Sequence, residues 1–396
     1  MAVNELGFNQ LATILNQIQQ QATGQSAPVA TDTSSFVSVG QTVLKTGYDN
    51  MLNAISQVLG RTIFSVRPYD RKFRGLDVDS MRWGNHVRKI TALDKPFEED
   101  DRMKLVDGQA IDPFVVNKPS VIQTNFYGEN VYQKSLTLFR DQLDTAFTGP
   151  DQFGSFVSMV MQNASDMIEQ AHEEMSRMTL VNLIGAKQIY AGSVDTSGAH
   201  VFNLLAVYNQ EMKTSLTPET VRQPANFEPF VKWAYAQIKS ISDMMTERTT
   251  LYHYNFGQAI PRHTPKSAQR LFIYSPDVNS IETSVLSSVF HPDSVSDKID
   301  ITERVNFWQA VKGGPSINVT PSYVKADGSS AKGAKVELPY VFAVLMDREA
   351  AGVTTVNQWS DSIWNPRGGY SNLYWHFTDR YYNDFSENAL IFTIEE

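Results

Sequence analysis

The sequence predicts an α+β fold, from three observations. An apolar stripe of helical period runs without interruption from Phe153 to about Ile184. A long basic stretch, Arg61 to Lys89, has strand-like flanks but too few apolar residues to fold on itself. Toward the end of the chain, a continuous apolar run (Tyr340 to Met346) and an alternating aromatic segment (Tyr370, Leu373, Trp375, Phe377) have the character of strands.

With 396 residues, 42% apolar and 19% charged, the chain is long enough for two or three packed units and too apolar to be disordered along most of its length. Its formal net charge of −9 gives no global attraction to nucleic acid or to an anionic membrane. The absence of cysteine excludes disulfides, thiolate catalysis and Cys-based zinc sites. No apolar run reaches the length of a membrane span, and Met1 to Gln20 lacks the basic and apolar regions of a signal peptide. The protein is therefore expected to be made, and to stay, in a cytoplasm.

Residues 4–22 form an expected amphipathic helix, with Leu6, Leu11, Ile14, Leu15 and Ile18 on one side. The Ala/Ser/Thr-rich linker after it, Thr23 to Ser35, leaves two readings open: a helix docked on its own domain, or an arm lent to a neighbour. A second helix is expected from Phe36 to Leu59, stopped by Gly60. From Arg61 to Lys89 eight cations stand against three carboxylates, about +5, and an acidic cluster follows at Glu98 to Asp101. Such a stretch is expected to project as an extended hairpin that finds its stability against something else. Strands and turns follow to Gly149-Pro150. Asp151 is then a good N-cap for a helix of about 33 residues, a rod of about 50 Å, stopping at Gly185. Beyond it come a helix over Pro229–Met245, a strand over Arg270–Tyr274, a helix over Val278–Phe290, and strands around a Gly/Ser-rich loop at 325–333. Next are the buried strand at 340–346, a short helical turn at Asp347–Ala350, and a last strand at Ala389–Ile394.

Chemistry is sparse. Glu169 and His172 form one E-x-x-H pair on the long helix, where a carboxylate-bridged di-metal bundle needs two such pairs and two further Glu. No phosphate-binding loop, dinucleotide fingerprint or nucleophile elbow occurs, and seven histidines are scattered along the chain. No catalytic, cofactor or metal residue is assigned.

Several strings carry a resemblance: Lys72-Phe-Arg-Gly75 in the basic stretch, Phe147 followed by Phe153-Gly-Ser-Phe-Val157 at the helix start, Tyr340 to Glu349, and Trp364-Asn-Pro-Arg-Gly-Gly369 before an aromatic strand. In this order the elements resemble the Johnson fold of tailed-bacteriophage major capsid proteins, closest to those of small short-tailed phages of Gram-positive bacteria. The resemblance implies a helical N-arm (1–60), an extended E-loop hairpin (61–112), and a peripheral domain (113–190) with a spine helix at 151–185. It further implies a mainly axial α/β domain (191–345) and a C-terminal segment returning to the sheets (346–396). It also implies hexamers and pentamers closing an icosahedral shell around double-stranded DNA, with a separate scaffolding protein and a portal protein, no membrane and no cofactor. Assembly would take place in the host bacterial cytoplasm. Arg71, Lys72, Arg74, Arg82, Arg88 and Lys89 are then the expected inter-subunit contacts, facing carboxylates of an adjacent copy. Three other readings stay open here: an encapsulin-like nanocompartment, a helical metalloenzyme using Glu169 and His172, and a nucleic-acid-binding module at residues 61–89.

Overall fold

A computed structural model describes residues 8–23, 30–31, 33–45, 71–78, 87–93, 98–108, 110–112, 114, 116, 118, 121–139, 142, 150–193, 199–256, 260–279 and 302–395. In chain order these form α1 (Phe8–Thr23), α2 (Thr33–Lys45), β1 (Val87–Ala92), β2 (Val121–Phe126), β3 (Glu129–Phe139) and the long helix α3 (Pro150–Ser193). After it come β4 (Val201–Asn203), α4 (Leu204–Met212), α5 (Pro224–Met244), β5 (Gln269–Tyr274), β6 (Glu303–Val305), β7 (Ile317–Val319), β8 (Ser322–Val324), β9 (Ser330–Lys332) and β10 (Val336–Leu338). The chain closes with β11 (Val341–Asp347), β12 (Ala351–Asn365), β13 (Tyr370–Asn383) and β14 (Ala389–Thr393).

The uninterrupted stripe of α3 yields 44 residues, about 66 Å at 1.5 Å per residue. Gly185 does not stop it. A Cβ there would come 2.7 Å from Val319 Cγ1 and 3.1 Å from Pro321 Cβ. The glycine is thus a notch that lets the strand before β8 cross the helix, and two more turns follow. Those turns carry Lys187 and Tyr190, both fully buried.

Two cores lie on opposite faces of a five-stranded sheet ordered β4-β14-β11-β5-β6. One face takes Val344, Met346, Phe272, Ala389 and Ile391 against Leu180, Leu183, Ile184 and Tyr190 of α3. The other takes Ala343, Leu345, Leu271, Ile273 and Phe392 against Phe230, Ala234, Ile238 and Ile241 of α5. Residues of both faces alternate along β11, so every one of its seven residues is buried. That is why it is legible as a continuous apolar run. α5 begins at Pro224, five residues before the expected start, with Pro229 tolerated inside its early turns. Of the helix expected at 278–290 only residues 278 and 279 are described, as the end of a helical stretch at 275–279.

A second sheet, β12-β13-β3, is antiparallel and packs on α3. From Tyr370 to Asp379 burial alternates along β13, with Ser371, Leu373, Trp375, Phe377 and Asp379 turned inward, as the alternating segment predicts. Asn182 and Asn383 tie helix to sheet: Asn182 Nδ2 donates to Asn383 Oδ1 at 2.8 Å, and Asn383 Nδ2 donates to the Thr179 carbonyl at 3.0 Å. α1 and α2 pack against each other and on α3 of their own chain, with Ile14, Leu15, Ile18, Phe36, Val39 and Val43 buried. The rest of the helix expected to reach Leu59 lies outside the described residues. At Asp347–Ala350 the chain makes a tight turn between β11 and β12, closed by Ala350 N–H donating to the Asp347 carbonyl at 3.0 Å.

Candidate assembly interface

The basic stretch enters the fold through a short, firmly held root, residues 71–78. Phe73 is the anchor. Its backbone is left-handed at φ 64°, an uncommon state for a non-glycine residue. Its ring is 1% exposed, stacks on Phe272 at 6.1 Å and lies under the Arg177 guanidinium at 4.8 Å. The backbone N–H groups of Lys72 and Phe73 donate to Glu173 at 3.0 Å and Glu303 at 2.6 Å. Burial pushes the Glu303 carboxyl above its usual range, offset in part by the Phe73 N–H. Gly75 is required by space: a Cβ would stand 2.9 Å from Thr302 Cγ2. The string Lys72-Phe-Arg-Gly75 thus plugs the hairpin's root into the main core.

The cations of the stretch divide. Arg71 pairs with Glu169 at 2.9 Å and Asp77 at 2.6 Å. Lys89, on β1, is surrounded by Glu387 at 2.5 Å, Asp384 at 2.9 Å and Glu349 at 3.1 Å. Although burial alone would lower the Lys89 ammonium, Asp384 and Glu387 raise it well above its ordinary value. Burial pushes Glu387 up, while Lys89 and Arg262 pull it back. These two cations, expected to face an adjacent copy, thus have carboxylate partners within their own chain. The physical reason is leverage: a projecting hairpin needs its base fixed, and a half-buried ammonium among carboxylates fixes it. Lys72, Arg74 and Arg88 are exposed. Arg82 lies outside the described residues.

The E-x-x-H pair is likewise divided. Glu169 faces Arg71, whereas His172 Nδ1 lies 3.1 Å from Asp379 Oδ2, which also accepts from the Tyr132 hydroxyl at 2.5 Å. Among the described residues no group of three or more His, Asp or Glu could hold a metal ion. No described helix is long and apolar enough to cross a membrane.

β1 and β2 pair antiparallel from Val87↔Phe126 to Ala92↔Val121, so the hairpin reaches to Phe126. Inward-facing Lys89 and Thr91 touch the body, Thr91 Oγ1 accepting from Arg262 at 3.2 Å. Arg88 and Ile90 face out. The connection between the strands carries the feature that sequence reasoning missed. Met103, Leu105, Val106, Ile111, Phe114 and Val116 are exposed, Phe114 by 85%, Met103 by 77% and Val116 by 76%. The signal was present: apolar residues with neither helical nor strand period between Pro113 and Pro119 have no face of their own chain to bury. Among its described residues, 98–118, six carboxylates stand against three cations. The hairpin therefore has a basic root and an acidic, apolar tip. At the base a groove of about 680 Å³ stays open between β2, the β8–β9 turn and Tyr381–Phe385.

A plugged root, a projecting hairpin, a long helix under a three-stranded sheet and a five-stranded sheet between two cores define a capsid-type shell subunit. Among solved structures, the chain is similar to the capsid of Staphylococcus phage Andhra, with TM-score 0.53 at 11% identity over 82% of this chain and 84% of that one. It is similar also to a chain in the structure of the head fiber and inner core protein of native bacteriophage P68, with TM-score 0.51 at 13% identity over 82% of this chain and 84% of that one. At these identities the likeness shows the fold alone. The chain belongs to the Phi29-like phage major capsid protein family, whose model matches residues 11–393. No curated protein matches it. The protein is a structural component of the phage virion, a shell protein assembled from multiple copies of itself, and the nanocompartment and metalloenzyme readings gain no support.

Proposed function

We propose that copies of this chain meet through the hairpin and form hexamers and pentamers that close an icosahedral shell around double-stranded DNA, with no catalytic role. The observation that carries this reading is the cluster of exposed apolar side chains at 103–116 on an acidic tip, beside exposed Lys72, Arg74 and Arg88 at a basic root. Exposed apolar surface rimmed by charge marks a protein interface. A tip of one sign and a root of the other favour a heterologous, head-to-tail contact, the kind that closes into rings. On this reading Lys72, Arg74, Arg82 and Arg88 face the carboxylates of an adjacent copy, while Arg71 and Lys89 position the hairpin. α3 with the β12-β13-β3 sheet serves as the peripheral domain, and the five-stranded sheet with α4 and α5 as the axial one. A separate scaffolding protein guides closure and a portal protein occupies one vertex. Packaged DNA is held without sequence specificity, and assembly takes place in the host bacterial cytoplasm.

The test is the paired substitution Phe114→Asp and Val116→Asp. Burying two such side chains contributes about 3–5 kcal/mol per contact, repeated around every ring. The variant is expected to stay a folded subunit and to form no shells by electron microscopy under conditions where the wild-type chain does. Normal shells from the variant would refute the reading.

A further inference from the structure

We infer that the turn joining β12 to β13, with Arg367 at its tip, docks into a groove along α3 of a second copy, lined by Asp166, Glu174, Met178 and Val311. This is a further contact between copies, apart from the one made by the basic and acidic hairpin. It needs only that the chain assembles with itself.

The groove follows from spacing. Asp166, Gln170, Glu174, Met178 and Asn182 stand four residues apart on α3 and form one ridge along it. Residues 307–311 and 319–322 run beside that ridge, leaving two linked hollows of about 630 and 510 Å³ that share Glu174, Arg177 and Gln309. Their apolar walls stay uncovered: Val311 is 75% exposed and Met178 52%. Exposed apolar surface beside charge marks a place for a partner.

The charge of the groove is unbalanced. Arg177 is the one cation among the described residues that line it, and it is already used. It pairs with Glu173 at 2.6 Å, donates to the Phe307 carbonyl and lies 3.9 Å over the Phe307 ring. Asp166 and Glu174 have no such partner: among the described residues no cation lies within ion-pair distance of either. Glu174 accepts only from the Gln170 amide, at 3.3 Å. Asp166 Oδ1 is closed off from solvent and accepts no hydrogen bond, and burial raises its carboxyl above its usual range. A guanidinium brought here would gain two carboxylates and displace no existing partner.

The chain carries a matching knob. Arg367 is exposed, and among the described residues no carboxylate pairs with it. The turn that displays it is held rigid. Asn365 Oδ1 accepts from the N–H groups of Arg367 at 3.1 Å and Gly368 at 3.0 Å. The Asn365 carbonyl accepts from Gly369 N–H at 3.0 Å, with Gly369 left-handed at φ 62°. The outer sheet face behind the tip exposes Ile363 by 62% and Phe139 by 50%, with Phe139 edge-on to Tyr370 at 6.0 Å. A cation beside apolar side chains thus meets carboxylates beside apolar side chains, and a preformed turn loses little freedom on docking. Knob and groove are different parts of one subunit, so the contact is heterologous and repeats from copy to copy.

Charge exchange tests this under conditions where the wild-type chain forms shells. Arg367→Glu is expected to keep the wild-type circular dichroism and melting temperature, because the side chain is exposed and unpaired. It is expected to form at least about tenfold fewer shells, counted by electron microscopy. Glu174→Lys is expected to show the same loss. The double variant Arg367→Glu, Glu174→Lys is expected to recover to within about threefold of wild type. Normal assembly of either single variant overturns the inference, as does a double variant no better than the singles. Rescue of Glu174→Lys by Arg74→Glu instead would give the groove to the hairpin's root and overturn the assigned occupant. Should a charge variant unfold, a cross-link decides, since the chain has no cysteine of its own. Oxidised shells of Gln170→Cys, Pro366→Cys are expected to run as covalent multimers on a non-reducing gel, and monomers alone overturn the inference.

Discussion

Lys89→Met tests the contacts that hold the hairpin to its own subunit. Removing this ammonium leaves Asp384, 2% exposed at its side chain, and Glu387, 8% exposed, without their main counter-charge. Breaking a buried pair from one side typically costs 3–5 kcal/mol. Two features reduce that here: Lys89 is itself 23% exposed, and Arg262 remains 3.4 Å from Glu387. A loss of about 2–3 kcal/mol is expected at pH 8. Over 396 residues, an unfolding entropy of about 2.1 cal/mol/K per residue makes that about 3 °C in melting temperature. The pH dependence gives the sharper check. Burial raises Glu387, and Lys89 does most, with Arg262, to pull it back, so the variant's carboxyl rises further. A carboxyl raised in the folded state gives stability that is full below its unfolded value and lost as pH rises through the folded one. The deficit of Lys89→Met should therefore be largest at pH 8 and narrow as pH falls to 5. Calorimetry at the two pH values measures it. A deficit under 1 °C at pH 8, or one that grows on acidification, would show that Lys89 does not hold these carboxylates.

Other outcomes follow from the same contacts. Asp277, which accepts from the Tyr340 hydroxyl at 2.7 Å, is pushed up to about 7 by burial, so wild-type stability should fall as pH rises through that value. Asp277→Asn, neutral throughout, should gain about 2 kcal/mol on wild type between pH 5 and pH 8.5 in thermal melts. Tyr190 Oη donates to the Val324 carbonyl at 2.8 Å and accepts Val324 N–H at 3.0 Å. Tyr190→Phe should cost about 1–2 kcal/mol by denaturant titration and speed exchange at Val324. The aspartate pair at 114 and 116 should block shells without unfolding the subunit.

Much of the fold was legible because single segments carried it. The stripe of α3, the all-buried β11 and the alternation along β13 each reflect one element against a large surface. What was not legible depends on contacts far apart in the chain. Gly185 is locally a helix stop; only the strand before β8, over 130 residues on, makes it a crossing point. Arg71 and Lys89 look like solvated cations until Glu169 and Asp384 are folded against them. The pairing of β3 with β13 joins residues some 230 positions apart, beyond the reach of any periodicity. The candidate interface was half visible: charge drew attention to the hairpin, while the apolar residues of its connection, exposed on their own subunit, passed for a core-poor loop.

The most direct test of the central claim is electron-microscopic reconstruction of particles formed by this chain co-expressed with its upstream gene. Closed shells tens of nanometres across are expected, with the 98–118 connection of each copy seated on a neighbour. Dispersed monomers under every condition, or shells whose connection stands free in solvent, would contradict it.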